Sequence, residues 1–155
     1  VAASSPRRRL NWERVMTAAR TQQHLTAAEL AALAGSFDGM FKPLSGRMDE
    51  VFEDRPVEVE AIGTGVMLIG RAVFENLIAR GTRRVRMGSQ QVELQLFFED
   101  TVVDGYHTSE DISFCHKVRQ AGGRVWGVPW FRMAHSGNYD HMGDIGAIAR
   151  AEMTL

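Results

Sequence analysis

The apolar and polar positions along the chain predict an alternation of short strands and helices. Residues 57–69, VEVEAIGTGVMLI, begin with period-2 alternation and end as an apolar run, which is typical of a strand that becomes increasingly buried. Gly63 and Gly65 within that run indicate a bulge or a close approach of another group to the backbone. Further strands are predicted over residues 1–3, 92–98, 124–128 and 131–134.

Helix signals lie between these strands. Asn11 is a good N-cap for a helix to about residue 20, and Thr26 with Glu29 forms a capping-box pattern that opens a second helix. Residues 71–80 and 143–153 predict two more helices, and residues 36–56 and 82–92 are predicted to be mainly loop. The predicted class is therefore α/β, with a mixed sheet flanked by helices.

The stretch TSEDISFCHKVRQAGGRVWGVPWFRMAHSG, residues 108–137, carries the strongest local signals. Thr108 and Ser109 are both N-cap candidates, and Thr108 with Asp111 is compatible with a capping box. At 100° per residue Asp111 shares a helix face with Cys115, so its carboxylate lies at the mouth of an apolar stripe, where it can orient as a general base. Acids are favoured in the first turn of any helix, so a structural role stays open.

Composition narrows the class of protein. At 155 residues and 45% hydrophobic content, the chain fits one globular domain or a fragment of a larger one. A net charge of −1 gives no global basic field, which argues against a nucleic-acid partner. Cys115 is the single cysteine, so a reducing, cytoplasmic location is expected, and no apolar run is long enough for a transmembrane helix.

Candidate chemistry is sparse outside the acid pair. His135 precedes Ser136-Gly137, a predicted turn, and its imidazole suits Mn²⁺ or Zn²⁺, although a surface role is equally open. The histidines lack the HExxH pattern and Cys/His zinc spacing, so a zinc site within the chain is not expected. The arginines at 7–9 could meet a phosphate or form a solvated run.

The remaining candidates are glycines and tryptophans. The Gly63-Thr64-Gly65 segment lacks both the GxGxxG and the GK[ST] patterns, so neither a dinucleotide loop nor a P-loop is indicated. Trp12, Trp126 and Trp130 could serve as stacking platforms, whereas Trp126 within a strand favours the core.

Taken together, these segments resemble a known family. SEDISFCHKVRQAGGRVWGVPWFRMAHSG is similar to the C-terminal signature of the family 2-like glycosyltransferases with a GT-A fold. EVEAIGTGVMLIGRAVFENL resembles their acceptor-side strand and helix, and FFED at 97–100 resembles the aromatic-acidic segment that precedes SED. SPRRRLNWERV resembles a YPRK-x-x-NW segment found in a bacterial and viral subgroup shortly after the metal-binding DxD motif. The resemblance covers most of residues 1–15 and 57–140.

The resemblance implies a partial GT-A fold in which residues 1–155 form one domain, the C-terminal portion of the catalytic domain. It implies transfer of a sugar from a nucleotide-sugar to a glycan or another hydroxyl acceptor, assisted by Mn²⁺ or Mg²⁺. The resemblance implies that Asp111 is the catalytic base, with Glu110 beside it, and that His135 is a metal ligand. Together with the glycine and tryptophan patterns above, it implies substrate contacts at Gly63, Thr64, Gly65 and Trp130. The base and the metal ligand are expected to meet at one edge of the sheet.

The family's DxD motif does not precede these segments here, because the sequence begins at Val1. We therefore expect an acceptor-side half that is inactive alone. A sheet cut at this point is expected to expose residues 1–3 and 57–69, which favours a homodimer or a larger assembly. The alternative is a non-catalytic remnant that binds a sugar or a partner; a nucleic-acid binder using the arginines at 7–9 is disfavoured by the net charge.

Overall fold

A computed structural model of the protein describes residues 1–4, 6–7, 9–22, 24–37, 41–52, 54–88, 92–136, 141–143 and 145–152. Within these ranges the strands are β1 (Ala2–Ala3), β2 (Val57–Glu58), β3 (Val66–Met67), β4 (Arg84–Met87), β5 (Val92–Gln95), β6 (Thr101–Val103), β7 (Tyr106–Thr108), β8 (Trp126–Gly127), β9 (Met133–His135) and β10 (His141–Gly143). The helices in the same ranges are α1 (Trp12–Thr21), α2 (Ala27–Ala34), α3 (Arg71–Ala79), α4 (Glu110–Gln120) and α5 (Ile145–Glu152), with a short 3₁₀ helix at Met48–Phe52.

Four strands form the central sheet, in the order β2-β8-β1-β3. Strand β1 pairs in parallel with β8 and antiparallel with β3, so the sheet is mixed and the predicted α/β class is confirmed. Ala2 and Ala3 are 3% and 4% exposed, because β1 has a paired strand on each side. The expectation that residues 1–3 form an exposed edge is therefore wrong.

Residues 57–69 do not form one strand. They supply β2 and β3, which lie at opposite edges of the central sheet. Val59 and Ala61 make only isolated bridges, with Pro43 and Phe41. The chain then leaves the sheet through the Gly-Thr-Gly segment. The first part of the run is buried, whereas Val66 and Leu68 in the second part are exposed.

The main core lies between the central sheet and helices α3 and α4. Its buried residues come from β1, β2 and the residues after β2, and from the inner faces of the two helices. They include Val57, Val59, Ile62, Leu77, Ile112, Phe114, Cys115 and Val118. Four phenylalanines join the helices to the segment before β6: Phe98 stacks on Phe114 at 4.3 Å between centroids, and Phe97 meets Phe74 edge-on at 4.8 Å. Cys115 is 1% exposed and forms no disulfide, as predicted.

Helices α1 and α2 begin where their caps predict. The Asn11 side chain accepts a hydrogen bond from the backbone N–H of Arg14 at 3.0 Å, and Thr26 and Glu29 form the reciprocal capping box. The Arg14 guanidinium donates to the carbonyl oxygens of Leu33 and Gly35 at the end of α2, which ties the two helices together.

Three two-stranded hairpins stand beside the central sheet, formed by β4–β5, β6–β7 and β9–β10 within the described ranges. The prediction of a loop over residues 82–92 is wrong, because β4 starts at Arg84 and pairs with β5. Strands β6 and β7 are joined by Asp104 and Gly105, with φ values of 52° and 82°. Positive φ at both central residues is what a tight two-residue hairpin turn requires, and an Asp-Gly pair supplies it.

The boundaries around α4 and β9 differ from the predictions in two respects. Thr108 closes β7 and Ser109 is the N-cap of α4 without a side-chain cap bond, so the predicted Thr108 capping box is wrong. His135 ends β9 rather than following a strand, and it pairs in register with His141.

Other boundaries shift by a few residues. The strands predicted over 124–128 and 131–134 are Trp126–Gly127 and Met133–His135. The last predicted helix begins at Ile145, and its predicted final residue, Met153, lies outside the described residues, as do Arg8 and Gly137. Among the described helices, none has the length and apolar character needed to cross a membrane.

Candidate functional site

Asp111 occupies the first turn of α4, one position after the exposed Glu110. Its side chain is half-buried, and it points toward the segment that leaves the central sheet between β2 and β3. The unsatisfied N–H groups of a helix N-terminus favour a negative charge at this position. An acid in the first turn of α4 is therefore compatible with the dipole of the helix.

Thr64 holds the Asp111 carboxylate with two hydrogen bonds. The Thr64 backbone N–H donates to Oδ2 at 2.9 Å, and the Thr64 hydroxyl donates to Oδ1 at 2.5 Å. The next residue, Gly65, donates its N–H to the carbonyl oxygen of Ala3 in β1 at 3.0 Å. The carboxylate is thereby fixed in rotation and position relative to the middle of the sheet.

The Asp111 carboxylate can accept further hydrogen bonds in addition to the two from Thr64. Each carboxylate oxygen has two acceptor positions, and Thr64 occupies one on each oxygen. An oriented carboxylate at a partly solvated site is suited to general-base chemistry on a hydroxyl group. The same geometry also serves as a clamp between α4 and the sheet, so the contacts alone support both roles.

Cys115 lies one turn after Asp111 and closes the inner side of the site. Its thiol points at the carbonyl oxygen of Ile62 at 3.8 Å, within the buried core. Burial raises the pKa of the Cys115 thiol above its ordinary value, and the nearby Asp111 charge raises it further. The thiol is therefore neutral near pH 7, and it does not act as a nucleophile in this site.

Gly63 and Glu110 are two further candidate residues, and they differ in their surroundings. A Cβ atom built on Gly63 would meet only the Ser4 hydroxyl, at 3.9 Å, so the fold itself does not require a glycine there. Within the described part of the chain, Glu110 makes no hydrogen bond or ion pair and extends into solvent.

The three tryptophans differ in exposure. Trp130 is half-buried and follows the buried Pro129, Trp126 is half-buried in β8, and Trp12 at the start of α1 is 60% exposed. No hydrogen bond of Trp130 to another described residue connects it to Asp111 or Thr64. Its role as a substrate contact stays a prediction.

His135 is half-buried, and its ring contacts the N-terminal segment. Its Nδ1 atom lies 3.0 Å from the carbonyl oxygen of Pro6. A carbonyl oxygen only accepts, so Nδ1 carries the proton and a neutral ring has its lone pair on Nε2. This tautomer is the one that metal-bound histidines adopt when the other ring nitrogen is held by a backbone carbonyl.

The N-terminal segment connects the two parts of the candidate site. Gly65 is bonded to Ala3, and His135 is bonded to Pro6, three residues farther along the chain. Three residues of extended chain span at most about 11 Å between Cα atoms. The Thr64–Asp111 pair and His135 are thus both attached to one short stretch of backbone.

The residues present do not form a metal site by themselves. Across the described residues, no group of three or more His, Cys, Asp or Glu side chains is placed to hold a metal ion. His135 fits as a single ligand, and a divalent cation there would need its other ligands from outside the described residues.

The FFED segment has a role that sequence reasoning missed. Lys117 in α4 donates from Nζ to Glu99 at 2.6 Å and to the carbonyl oxygens of Leu96 and Phe97 at 3.2 Å. The hydrogen bond from Lys117 lowers the pKa of Glu99, with the charges of Lys117 and Arg83 adding to this effect against the opposing effect of burial. Glu99 is thus a structural anchor, and its position 18 residues before Lys117 gives no local signal of their pairing.

The arginine segment at 7–9 is partly described. The Arg7 backbone N–H donates to the carbonyl oxygen of Ser36 at 2.6 Å, which fixes the chain after β1, and Arg9 is exposed.

No protein-family model, curated protein or solved structure matches this chain. The class that the structure establishes is accordingly the mixed α/β domain described above, and the functional argument depends on the geometry around Asp111.

Proposed function

We propose that this chain is the acceptor-side part of a glycosyltransferase with a GT-A-like fold, and that Asp111 is its general base. The observation that carries the proposal is the pair of hydrogen bonds by which Thr64 orients the Asp111 carboxylate at the start of α4. The mixed sheet and the segment resemblance support the GT-A assignment. The substrates would be a nucleotide-sugar and a glycan or another acceptor with a free hydroxyl group.

In the proposed reaction Asp111 accepts the proton of the acceptor hydroxyl. The acceptor oxygen forms a bond to the anomeric carbon as the bond from that carbon to the nucleoside diphosphate breaks, and the diphosphate leaves with the electron pair. Thr64 keeps the carboxylate in one orientation, and one acceptor position on each oxygen remains for the acceptor hydroxyl. Glu110 and the space over Gly63 would contribute to binding the acceptor, and Trp130 would offer a surface for stacking on a sugar ring.

Among the described residues, His135 is our candidate ligand for a divalent metal. The Pro6 carbonyl fixes its Nδ1–H and sets the ring in the ligand tautomer. A bound Mn²⁺ or Mg²⁺ would neutralise charge on the departing diphosphate. The other ligands would come from a DxD motif elsewhere in the full protein.

The proposal is tested on the protein encoded by the complete gene. Nucleoside diphosphate release is measured with a panel of nucleotide-sugars and hydroxyl acceptors. Asp111→Asn keeps the shape of the side chain: its oxygen accepts from the Thr64 backbone N–H and its NH2 group donates to the Thr64 hydroxyl, so the fold is retained while turnover falls by about 100-fold or more. Unchanged turnover in a folded Asp111→Asn variant excludes Asp111 as the base. A complete gene without a DxD motif upstream of Val1 counts against the whole assignment.

A second candidate is a non-catalytic domain in which Asp111 only clamps α4 to the sheet. The observation that favours it is that both carboxylate oxygens already accept a hydrogen bond from Thr64. In this case Asp111→Asn lowers the melting temperature, and the complete protein transfers no sugar under any metal condition.

A further inference from the structure

The β4–β5 hairpin has two chemically different faces. In its antiparallel register Arg84 is opposite Gln95, Val85 opposite Leu94, Arg86 opposite Glu93, and Met87 opposite Val92. Directly opposite residues share a face of a two-stranded ribbon. One face therefore carries only polar side chains. The other carries only apolar ones, and we name it the apolar hairpin face: Val85, Met87, Val92 and Leu94.

The apolar hairpin face is largely open to solvent. Met87 is 58% exposed, Val92 49% and Leu94 39%. None of its four members belongs to the core or packs against it among the described residues. Strict polar–apolar alternation is normally found where one face of a sheet is covered. A surface that covers this face is therefore expected from outside the described part of the chain.

The base of the hairpin is anchored so that this face points away from the core. Leu96 donates its N–H to the carbonyl oxygen of Arg83 at 2.9 Å, which continues the ladder beyond the strands. Lys117 binds the Leu96 carbonyl from α4, and Arg83 forms an ion pair with Glu99 at 2.9 Å. These contacts hold the two strands in a fixed position rather than letting them fold onto α3 and α4.

Positive charge is concentrated in the same segment. Residues 80–95 contain four arginines and one glutamate, and Arg83 is paired with Glu99, so the segment with this partner has a net charge of +2, whereas the whole chain carries −1. Arg84 and Arg86 share the one Glu93, at 3.8 and 3.6 Å. The hairpin thus combines an exposed apolar face with an excess of cationic side chains, which complements an anionic surface.

We infer that the β4–β5 hairpin docks the protein on an anionic phospholipid bilayer. The apolar hairpin face enters the headgroup region, while the arginines extend around the ribbon toward lipid phosphates. This inference is independent of the reaction proposed for Asp111.

Two other occupants fit the hairpin less well. A second copy would bring together two segments that each carry an excess of positive charge, and like charges across an interface are unfavourable. A single-stranded nucleic acid would use stacking platforms, and the described strands of this hairpin contain no aromatic side chain.

The test is sedimentation of the whole chain with vesicles. Vesicles of phosphatidylcholine alone are compared with vesicles containing phosphatidylglycerol in equal part, at low and at high salt. The protein is expected to bind the anionic vesicles and to be released by salt. Met87→Thr with Val92→Thr weakens binding by about 10-fold, and Arg84→Gln with Arg86→Gln weakens it by about 5-fold per charge. Threonine preserves the strand propensity of both apolar positions.

Matched controls come from outside the hairpin. Arg71→Gln removes an arginine whose side chain is 91% exposed on α3, and Val102→Thr alters a 73% exposed valine on β6. Both are expected to bind vesicles like the original protein. A fluorophore attached at Val92→Cys shifts to the blue with anionic vesicles, whereas the same fluorophore at Val102→Cys does not.

Several results overturn the inference. These are no binding to either vesicle type, equal binding to both, or an equal loss of binding in the two control variants. A dimer that dissociates on Met87→Thr with Val92→Thr would assign the face to a second copy. Binding of an oligonucleotide that the arginine variants abolish, without vesicle binding, would assign it to nucleic acid.

Discussion

Thr64 donates two hydrogen bonds to Asp111 across 47 residues of sequence, one from its backbone N–H to Oδ2 at 2.9 Å and one from its hydroxyl to Oδ1 at 2.5 Å. The pair joins the start of α4 to the segment that crosses from one edge of the central sheet to the other. It brings together an acid that the helix-start pattern singles out and a threonine that the Gly-Thr-Gly pattern singles out. The proposed function depends on this junction.

Thr64→Val tests the contribution of the Thr64 hydroxyl to the orientation of the Asp111 carboxylate, while Asp111 itself stays in place. The substitution removes the hydroxyl donor and keeps the backbone N–H, so we expect a loss of about 1–2 kcal/mol in the free energy of unfolding. Chemical denaturation measures this loss. If Asp111 acts as the proposed base, kcat of the complete protein is expected to fall with little change in KM, and Thr64→Ser is expected to restore it. A Thr64→Ser variant as impaired as Thr64→Val would show that the hydroxyl is not the important group.

Lys117→Met tests the anchor between α4 and the segment before β6. It leaves Glu99 and two backbone carbonyl oxygens without the ammonium group, so we expect a loss of about 1–3 kcal/mol in unfolding free energy. Arg71→Gln, in an exposed ion pair, is the control and should cost less than about 0.5 kcal/mol. An equal loss of unfolding free energy in the two variants would contradict the stabilising role of Lys117 between α4 and the segment before β6.

The same anchor predicts an acid-sensitive stability. The pKa of Glu99 in the folded protein is lowered below its ordinary value of 4.5, chiefly by the hydrogen bond from Lys117. Its stabilising contribution is therefore complete above the unfolded-state pKa and is lost as the pH falls through the lowered folded-state pKa. Denaturation curves across this acidic range should show a smaller pH dependence for Glu99→Gln than for the original protein. An identical pH dependence of stability in both proteins would show that Glu99 does not contribute to the acid sensitivity.

Cys115 is expected to react slowly with thiol reagents. It is 1% exposed, and burial raises its pKa above the ordinary value of 9.0. A raised pKa stabilises the folded state fully below the unfolded-state pKa, and this contribution is lost as the pH rises through the folded-state pKa. Labelling should therefore become fast only in denaturant or at strongly alkaline pH. Rapid labelling of the native protein near pH 7 would contradict the burial.

Gly127→Ala is expected to destabilise the central sheet. A Cβ atom at this position in β8 would lie 2.4 Å from the ring of Phe41 and 3.3 Å from Ile62 Cδ1. Because Phe41 packs against the core, we expect a loss of about 1–3 kcal/mol. Gly63→Ala is the matched control, since its Cβ would contact only the Ser4 hydroxyl at 3.9 Å. Thermal unfolding that is equal in the two variants would contradict the close packing.

The expected assembly and inactivity of residues 1–155 alone remain predictions. Strand β1 is buried in the middle of the sheet, so an assembly through the sheet would use the β3 edge, where Val66 is 54% and the adjacent Leu68 76% exposed. Light scattering at micromolar concentration should show a dimer or a larger species that Leu68→Lys disrupts. A monomer throughout would contradict the assembly, and turnover of nucleotide-sugars by this chain alone would contradict its expected dependence on a separate donor half.

Local features could be predicted from the sequence because their physics is local. The Asn11 and Thr26 caps start helices where their side chains reach the backbone three residues ahead. Gly122, with a φ of 79°, ends α4 because a left-handed position strongly favours glycine there. The burial of Cys115 follows from the 3.6-residue period of α4. The Asp104-Gly105 turn is also a local feature, but neither the turn nor the strands β6 and β7 that it joins were predicted from the sequence.

The tertiary structure alone decided which distant residues meet. Hydrophobic alternation over residues 57–69 predicts strand character, but it contains no information about partners, so it could not show that β2 and β3 would lie at opposite edges of one sheet. The Thr64–Asp111 and Glu99–Lys117 contacts follow from that topology. The sequence by itself determined where helices start and which helix face is apolar, because those depend on neighbours within about four residues. The candidate site depends on strand order, which is set by packing across the whole core.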